Sequence, residues 1–251
     1  MELGLKGKKA LITGGSRGIG RAAALALSQE GVNLAINYFQ NKRAADSLIR
    51  KVKKDKVEAF ALQSDVGDFL QVKEMVKEIE KRFEYLDIWV HSAGIPCLGD
   101  KRPEDWDRVM KVQLYSVYYL SKFIVPMMKK RKRGKIVIIS SLCAHTSGAD
   151  SYASAMAGKT CFALGLAKRL APFNINVNVI SPGTIFTDMI DYIPIKERRK
   201  FTEENIPIYK SRKGIPGPEE VARVILFLVS EASRHITGAD IPVNGGQFIA
   251  L

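Results

Sequence analysis

KKALITGGSRGIGRAAALALSQEG, residues Lys8–Gly31, is the stretch whose reading decides the fold. The apolar run Ala10-Leu11-Ile12 suits a buried strand, and the Ala/Leu-rich run Ala22–Leu27 suits a helix. Glycines at Gly14, Gly15, Gly18 and Gly20 separate the two. A strand, a glycine turn and a helix in that order aim free backbone N–H groups and the positive end of a helix dipole at an anion. Gly14 and Gly18 let the chain turn tightly and approach a pyrophosphate, and Gly20 lets helix and strand pack closely. The spacing differs from the commoner G-x-G-x-x-G, and an ordinary strand-to-helix turn is the competing reading. The periodicities on either side favour nucleotide binding.

Working outward, short apolar runs alternate with helical patterns to the end of the chain. Strands are predicted at Ala10–Thr13, Asn33–Asn37, Glu58–Gln63, Ile88–His91, Ile136–Ser140, Ile175–Ile180 and Ile241–Val243. Helices are predicted at Ile19–Gln29, Lys42–Lys53, Phe69–Phe83, Trp106–Lys130, Tyr152–Ala171 and Glu219–Ser230. Such alternation implies an α/β fold, a doubly wound parallel sheet with helices on both faces. Neither a linker nor an internal repeat divides the 251 residues, so residues 1–251 are expected to form one Rossmann-type domain. The long irregular stretch is Pro182–Pro218, with residues 184–217 expected to lie as a lid over the carboxyl ends of the strands.

The totals exclude several classes. No apolar run spans a bilayer, and MELGLKGKK at the start lacks the core of a signal peptide, so a cytoplasmic protein is expected. Cys97, Cys143 and Cys161 form no CxxC pair and are read as reduced thiols, and His91, His145 and His235 lack metal-ligand spacing. The net charge of +13 favours acidic partners: nucleic acid, anionic lipid, phosphorylated cofactors or an acidic carrier protein. Nucleic acid is disfavoured, because no aromatic interleaving or binding module accompanies the charge. The basic run Lys129–Arg133 reads as a solvated helix end whose cations meet the dipole, or as a landing patch for an acidic carrier.

Taken together, TGGSRGIG at Thr13–Gly20, Asp65-Val66, HSAG at His91–Gly94, WDRVMKVQL at Trp106–Leu114, ISS at Ile139–Ser141, Tyr152, SPGTIFTDM at Ser181–Met189 and NGG at Asn244–Gly246 resemble the short-chain dehydrogenase/reductase family over nearly the whole chain. INYFQNKRAADSL at Ile36–Leu48 and PMMKKRKRGKIV at Pro126–Val137 look most like its 3-oxoacyl-carrier-protein reductase branch. The resemblance implies a nicotinamide cofactor held by Gly14, Ser16, Arg17, Gly18, Ile19 and Gly20. Asp65 and Val66 would flank the adenine, Ala93 and Gly94 would follow, and Pro182, Gly183 and Thr187 would meet the nicotinamide end, with Thr184 beside them. In NAD-binding relatives an acid ends the second strand. Asn37 holds that place here, with Arg17 in the loop and Lys42-Arg43 beyond, so NADP(H) is expected. His91 replaces an asparagine that ties strands together in the family and is read as a hydrogen-bonded core histidine. An acyl carrier protein or acyl thioester is the implied partner, and a homotetramer the implied assembly, with a hetero-oligomer beside an active paralogue as the other form.

The catalytic set departs from the family, which uses Asn, Ser, Tyr and Lys with the last two spaced Y-x-x-x-K. Ser141 and Tyr152 are present, more closely spaced than is usual. Gln113 holds the asparagine position, and Met156, four residues after Tyr152, holds the lysine position. A cation beside a tyrosine would lower its pKa by about 1–3 units, which methionine cannot do. Lys159 lies on the same helical stripe, leaning toward Tyr152, and is a candidate substitute; the competing reading is an exposed lysine. His145 is a second candidate acid. Two readings follow: an NADPH-dependent 3-oxoacyl reductase with atypical or impaired catalysis, and a non-catalytic NADP(H)- and acyl-carrier-binding partner of an active reductase. A serine hydrolase is excluded by the lack of a G-x-S-x-G elbow.

Overall fold

The predicted strands are short, mostly apolar runs, buried in the middle of the sheet and partly exposed at its two edges, Ala59–Gln63 and Asp240–Val243, and the seven assemble edge to edge into one sheet. A computed structural model describes residues 3–96, 99–146, 149–212 and 214–249. Cys97 and the tail residues Ala250 and Leu251 lie outside the described residues. The strands are β1 Lys9–Thr13, β2 Asn33–Tyr38, β3 Ala59–Gln63, β4 Ile88–His91, β5 Gly134–Ile139, β6 Ile175–Pro182 and β7 Asp240–Val243. They run parallel in the order β3-β2-β1-β4-β5-β6-β7.

Alternate residues of each strand feed opposite faces. Leu11, Trp89, Ile136, Ile138, Val177 and Val179 pack under α3 (Phe69–Phe83), α5 (Ser116–Arg131) and α6 (Asp150–Leu170). Ala10, Ile12, Leu34, Ile36, Val90 and Val137 pack under α1 (Gly18–Gln29), α2 (Lys42–Val52) and α8 (Pro218–Val229). The chain winds outward from β1 to β3, then returns to lay β4 on the other side of β1. That reversal opens a crevice beyond the carboxyl ends of β1 and β4. Among the described residues, no helix is long and apolar enough to cross a membrane.

Three boundaries correct the sequence reading. The single helix predicted over Trp106–Lys130 is α4 (Pro103–Met110), a π-helical turn at Lys111–Tyr115, and α5. Proline at the first turn starts α4 early, and the wide turn rotates Gln113 inward. β5 ends at Ile139, one residue before the predicted end, while the Ser140 N–H still donates to the Ile180 carbonyl of β6 at 2.8 Å and its hydroxyl turns toward α6. The stretch 182–218 contains a helix, α7 (Ile195–Asn205), in which only Thr202 is buried; with no apolar stripe, it leaves no periodic signal in the sequence.

Candidate active site and cofactor cleft

The glycine turn is packed so tightly that side chains would block it. A Cβ on Gly14 (φ +64°) would stand 2.6 Å from Ala93 Cα, and one on Gly20 would stand 2.5 Å from the Gly14 carbonyl. Gly18 (φ +53°) faces Thr187, whose methyl would be 3.4 Å from an added Cβ. The first turn of α1 has no acidic residue, and Arg17 at its N-cap makes no side-chain cap. Unsatisfied N–H groups and the dipole therefore face the crevice, a fit for a pyrophosphate. The structure brings Gly14–Gly20, Ala93-Gly94 and Pro182–Thr187 together around this one opening. Among the described residues, no cluster of three metal-ligating side chains occurs.

Asn37 is buried, and its amide is fully engaged. Oδ1 accepts from the Gly14 N–H at 3.3 Å, while Nδ2 donates to the carbonyls of Ser64 at 3.0 Å and Tyr38 at 3.3 Å. It thus holds the glycine turn to β2 and β3. Arg17 lies 3.9 Å from Asp188, with both side chains mostly exposed, a pairing that contributes little. Asp65 accepts from the Gly67 N–H at 2.8 Å and from Arg108 Nη1 at 2.7 Å, while Val66 is buried. Arg108 also lies over the Phe39 ring at 5.5 Å. Nothing in the sequence pointed to Arg108, because it and Asp65 are 43 residues apart and are brought together only by the fold.

Tyr152 stands on the first turn of α6. Asp100 fixes that turn by accepting from the Ser151 N–H at 2.9 Å and from the Ser151 hydroxyl. The Tyr152 ring is half-buried, with its hydroxyl end enclosed. Burial pushes the phenol up to about 12, the Cys143 thiol adds to the rise, and a hydrogen bond with Ser141 pulls the other way. Ser141 also caps the turn Leu142–Ala144, accepting from the Cys143 N–H at 3.2 Å.

Met156 is buried, with Sδ 3.9 Å from Ser140 Oγ. Ser140 donates to the Met156 carbonyl at 3.3 Å and meets the Thr160 hydroxyl at 2.8 Å. Lys159 is not the exposed lysine of the competing reading: it is 1% exposed, and its Nζ donates to Gln113 Oε1 at 3.2 Å. Burial alone pushes it down to about 7. Gln113 Nε2 in turn donates to the Ile95 carbonyl at 2.6 Å, and its amide lies 3.0 Å from where a Gly94 Cβ would stand. Lys159, Gln113 and Ile95 form a line through the core to the floor of the crevice, and the groups acting on Tyr152 are Cys143 and Ser141.

His91 is a core histidine. Nδ1 pairs with the Thr13 hydroxyl at 3.0 Å and Nε2 with the Ser116 hydroxyl at 3.1 Å, and burial holds the ring well below the ordinary histidine range, with Lys159 adding to the effect. His145 is bonded to Asp240 at 2.8 Å, and Asp240 also accepts from the Ser181 hydroxyl at 2.7 Å. These three, with Leu142, Pro242, Asn244 and Phe248, line a cavity of about 140 Å³ at the β6–β7 edge. In the basic run, Lys129 lies over Phe173 at 4.3 Å, Arg131 over Tyr85 at 3.6 Å, and Arg133 pairs with Asp87 at 2.6 Å.

Comparison with known proteins agrees with this architecture. The profile of a family described as enoyl-(acyl carrier protein) reductase matches residues 14–247. The chain is 34% identical to 3-oxoacyl-(acyl-carrier-protein) reductase FabG of Staphylococcus aureus over 247 residues, 96% of this chain and 98% of that relative. It is 37% identical to the protein of the same name from Thermotoga maritima over 252 residues, covering 98% and 99%. The crystal structure of a levodione reductase superposes with a TM-score of 0.88 at 26% identity, covering 96% of this chain and 98% of that one. With the glycine cradle, the sheet order and this similarity in hand, the chain belongs to the short-chain dehydrogenase/reductase family.

Proposed function

We propose that the protein binds NADP(H) and is a 3-oxoacyl-carrier-protein reductase whose hydride-transfer step is impaired. The observation that carries this reading is Met156, buried four residues after Tyr152 within a chain whose glycine cradle is fully built. The phosphorylated cofactor is supported by Arg17 at the mouth of the turn, by Lys42 and Arg43 at the start of α2, and by the lack of an acid at the end of β2. When bound, the reduced nicotinamide supplies a hydride to a carbonyl carbon. The chain's own part is to donate a hydrogen bond from Ser141 to the carbonyl oxygen and a proton from Tyr152 Oη to the same oxygen. With its phenol near 12 and no lysine at 156, Tyr152 holds that proton too firmly. The loss of tuned acid–base help is worth on the order of 10²–10⁴ in rate.

In this reading Lys159 acts on Gln113, orienting its amide toward the Ile95 carbonyl, and does not replace the missing lysine beside Tyr152. The buried Met156 also favours a second reading: a non-catalytic binder of NADP(H) and an acyl carrier, assembled with an active paralogue. The basic run at the end of α5 supports an acidic carrier as partner. Exposed aromatic and aliphatic side chains, Tyr115 at the end of the π-helical turn, Tyr118 on α5 and Leu164 on α6, support a tetramer.

The test is NADPH binding by fluorescence, followed by turnover of an acetoacetyl thioester. It is run for the wild type, for Met156→Lys with Gln113→Asn, and for that pair with Lys159→Leu added, because a second nearby ammonium would oppose the first. Binding without turnover, with turnover gained in the variants, is the expected result for a lapsed reductase. Wild-type turnover at ordinary reductase rates would reject both the impairment and the non-catalytic reading. Absence of NADPH binding would reject the cofactor assignment.

A further inference from the structure

The turn Asn244–Gly246 is closed by its own bonds: Gly246 N–H donates to Asn244 Oδ1 at 3.0 Å, Gln247 N–H to the Asn244 carbonyl at 3.1 Å, and Asn244 Nδ2 to the Phe248 carbonyl at 2.7 Å. Gly245 and Gly246 both have positive φ, +59° and +82°. From this rigid turn, Gln247 reaches across to a single residue with both ends of its amide. Oε1 accepts from the Thr184 N–H at 2.9 Å, and Nε2 donates to the Thr184 hydroxyl at 3.0 Å. Two bonds to one residue fix both its peptide plane and its side-chain rotamer. Because the amide donates to Oγ1, the Thr184 hydroxyl hydrogen is free to point elsewhere.

Gly183 lets the amide come this close, since a Cβ there would stand 2.6 Å from Gln247 Oε1 and 3.0 Å from Asn244 Cα. The same turn holds the far end of the segment: Ile208 N–H donates to the Gly245 carbonyl at 3.0 Å, and a Cβ on Gly245 would meet Ile206 at 2.6 Å. Between these anchors, Thr187 lies against Gly18 of the glycine turn.

We infer that Gln247 is a positioning residue for the nicotinamide end of the cofactor, acting through Thr184 to hold the Thr184–Thr187 strap over the crevice. This rests on the NADP(H) reading above. The test compares dissociation constants for NADPH and for 2′,5′-ADP, which carries the phosphorylated ribose but no nicotinamide, in the wild type, Gln247→Ala and Gln247→Glu. Gln247→Ala is expected to weaken NADPH roughly tenfold, the worth of one to two hydrogen bonds, and to leave 2′,5′-ADP unchanged. Gln247→Glu keeps an acceptor for the Thr184 N–H and is expected to recover part of that loss. Equal weakening of both ligands would mean general loosening and overturns the role, as does no weakening of either. If the wild type binds neither, the cofactor reading fails and takes this role with it. Hydrogen exchange at the Thr184 amide, faster in Gln247→Ala than in the wild type, then still reports whether the bond holds the strap.

Discussion

At the scale of single residues, the candidate site turns on two buried neighbours on α6, Met156 and Lys159. Lys159 is fully enclosed, and among the described residues its hydrogen-bond partner is a neutral amide. Its pKa falls from an ordinary 10.5 to about 7 on folding. The unfolded chain therefore binds more protons than the folded one between about pH 7 and 10.5, and stability rises with pH across that window. Below about 7 the penalty is fully present. Lys159→Met is accordingly expected to stabilise the fold at pH 7 by ~1–4 kcal/mol, with the gain shrinking toward pH 10. Urea unfolding of both proteins at the two pH values checks this, and a variant less stable at both would contradict it. Tyr152 yields the complementary prediction. Its phenol, held near 12, stays protonated through pH 10 in the wild type. Met156→Lys is expected to bring it down by about 1–3 units. Tyrosinate absorbance, taken as a difference against Tyr152→Phe, reads this without any turnover; an unmoved titration would show that residue 156 does not reach the phenol.

At the scale of elements, the functional segments are loops and helix ends fastened to the sheet by a few polar bonds. The loop carrying Ser141 is tied to β7 through His145 and Asp240, and Asp240 is shared with Ser181 of β6. Asp240→Ala removes the shared acceptor and is expected to lower stability by roughly 1–3 kcal/mol, with faster hydrogen exchange across residues 142–146. Unchanged exchange there would show that the loop is held by packing alone. The strap and α7 depend on the turn at Gly245, where a Cβ would meet Ile206 and the backbone is left-handed. Gly245→Ala is expected to cost roughly 1–3 kcal/mol and to loosen residues 206–208 in hydrogen exchange. A thermal melt matching the wild type would show that the turn adapts freely. The π-helical turn at Lys111–Tyr115 is the third such device, since it aims Gln113 at Lys159 from within a longer helical run.

At the scale of the whole molecule, the exposed apolar face of α5 and α6 predicts the assembly. Tyr118→Glu with Leu164→Glu is expected to shift the proposed tetramer toward smaller species by sedimentation, with secondary structure retained; an unchanged mass distribution would place the interface elsewhere. Much of the architecture was legible in the chain alone. Buried parallel strands are short apolar runs, helices carry a 3.6-residue period, and the glycines of Thr13–Gly20 mark a close backbone approach, so strand and helix identities, the sheet class and the cofactor crevice follow from local pattern. The residue types at 113 and 156, glutamine and methionine, were likewise legible there. Sequence could not show where α7 lies, because a helix with one buried residue has no stripe to detect. Nor could it show that Lys159 is buried against Gln113, that Asn37 is engaged by the backbone, that Arg108 meets Asp65, or that Gln247 grips Thr184. The long-range contacts among them join residues 23 to 63 positions apart, such as Gly14 with Asn37 and Thr184 with Gln247, and only the winding of the sheet brings them together. Sequence by itself determined the fold class and the residue types at 113, 152 and 156 on which the proposed impairment rests, because both are written in local residue types and spacing. The tertiary structure decided which side chains meet and which ionisable groups lose water, because burial and dielectric are properties of the packed chain.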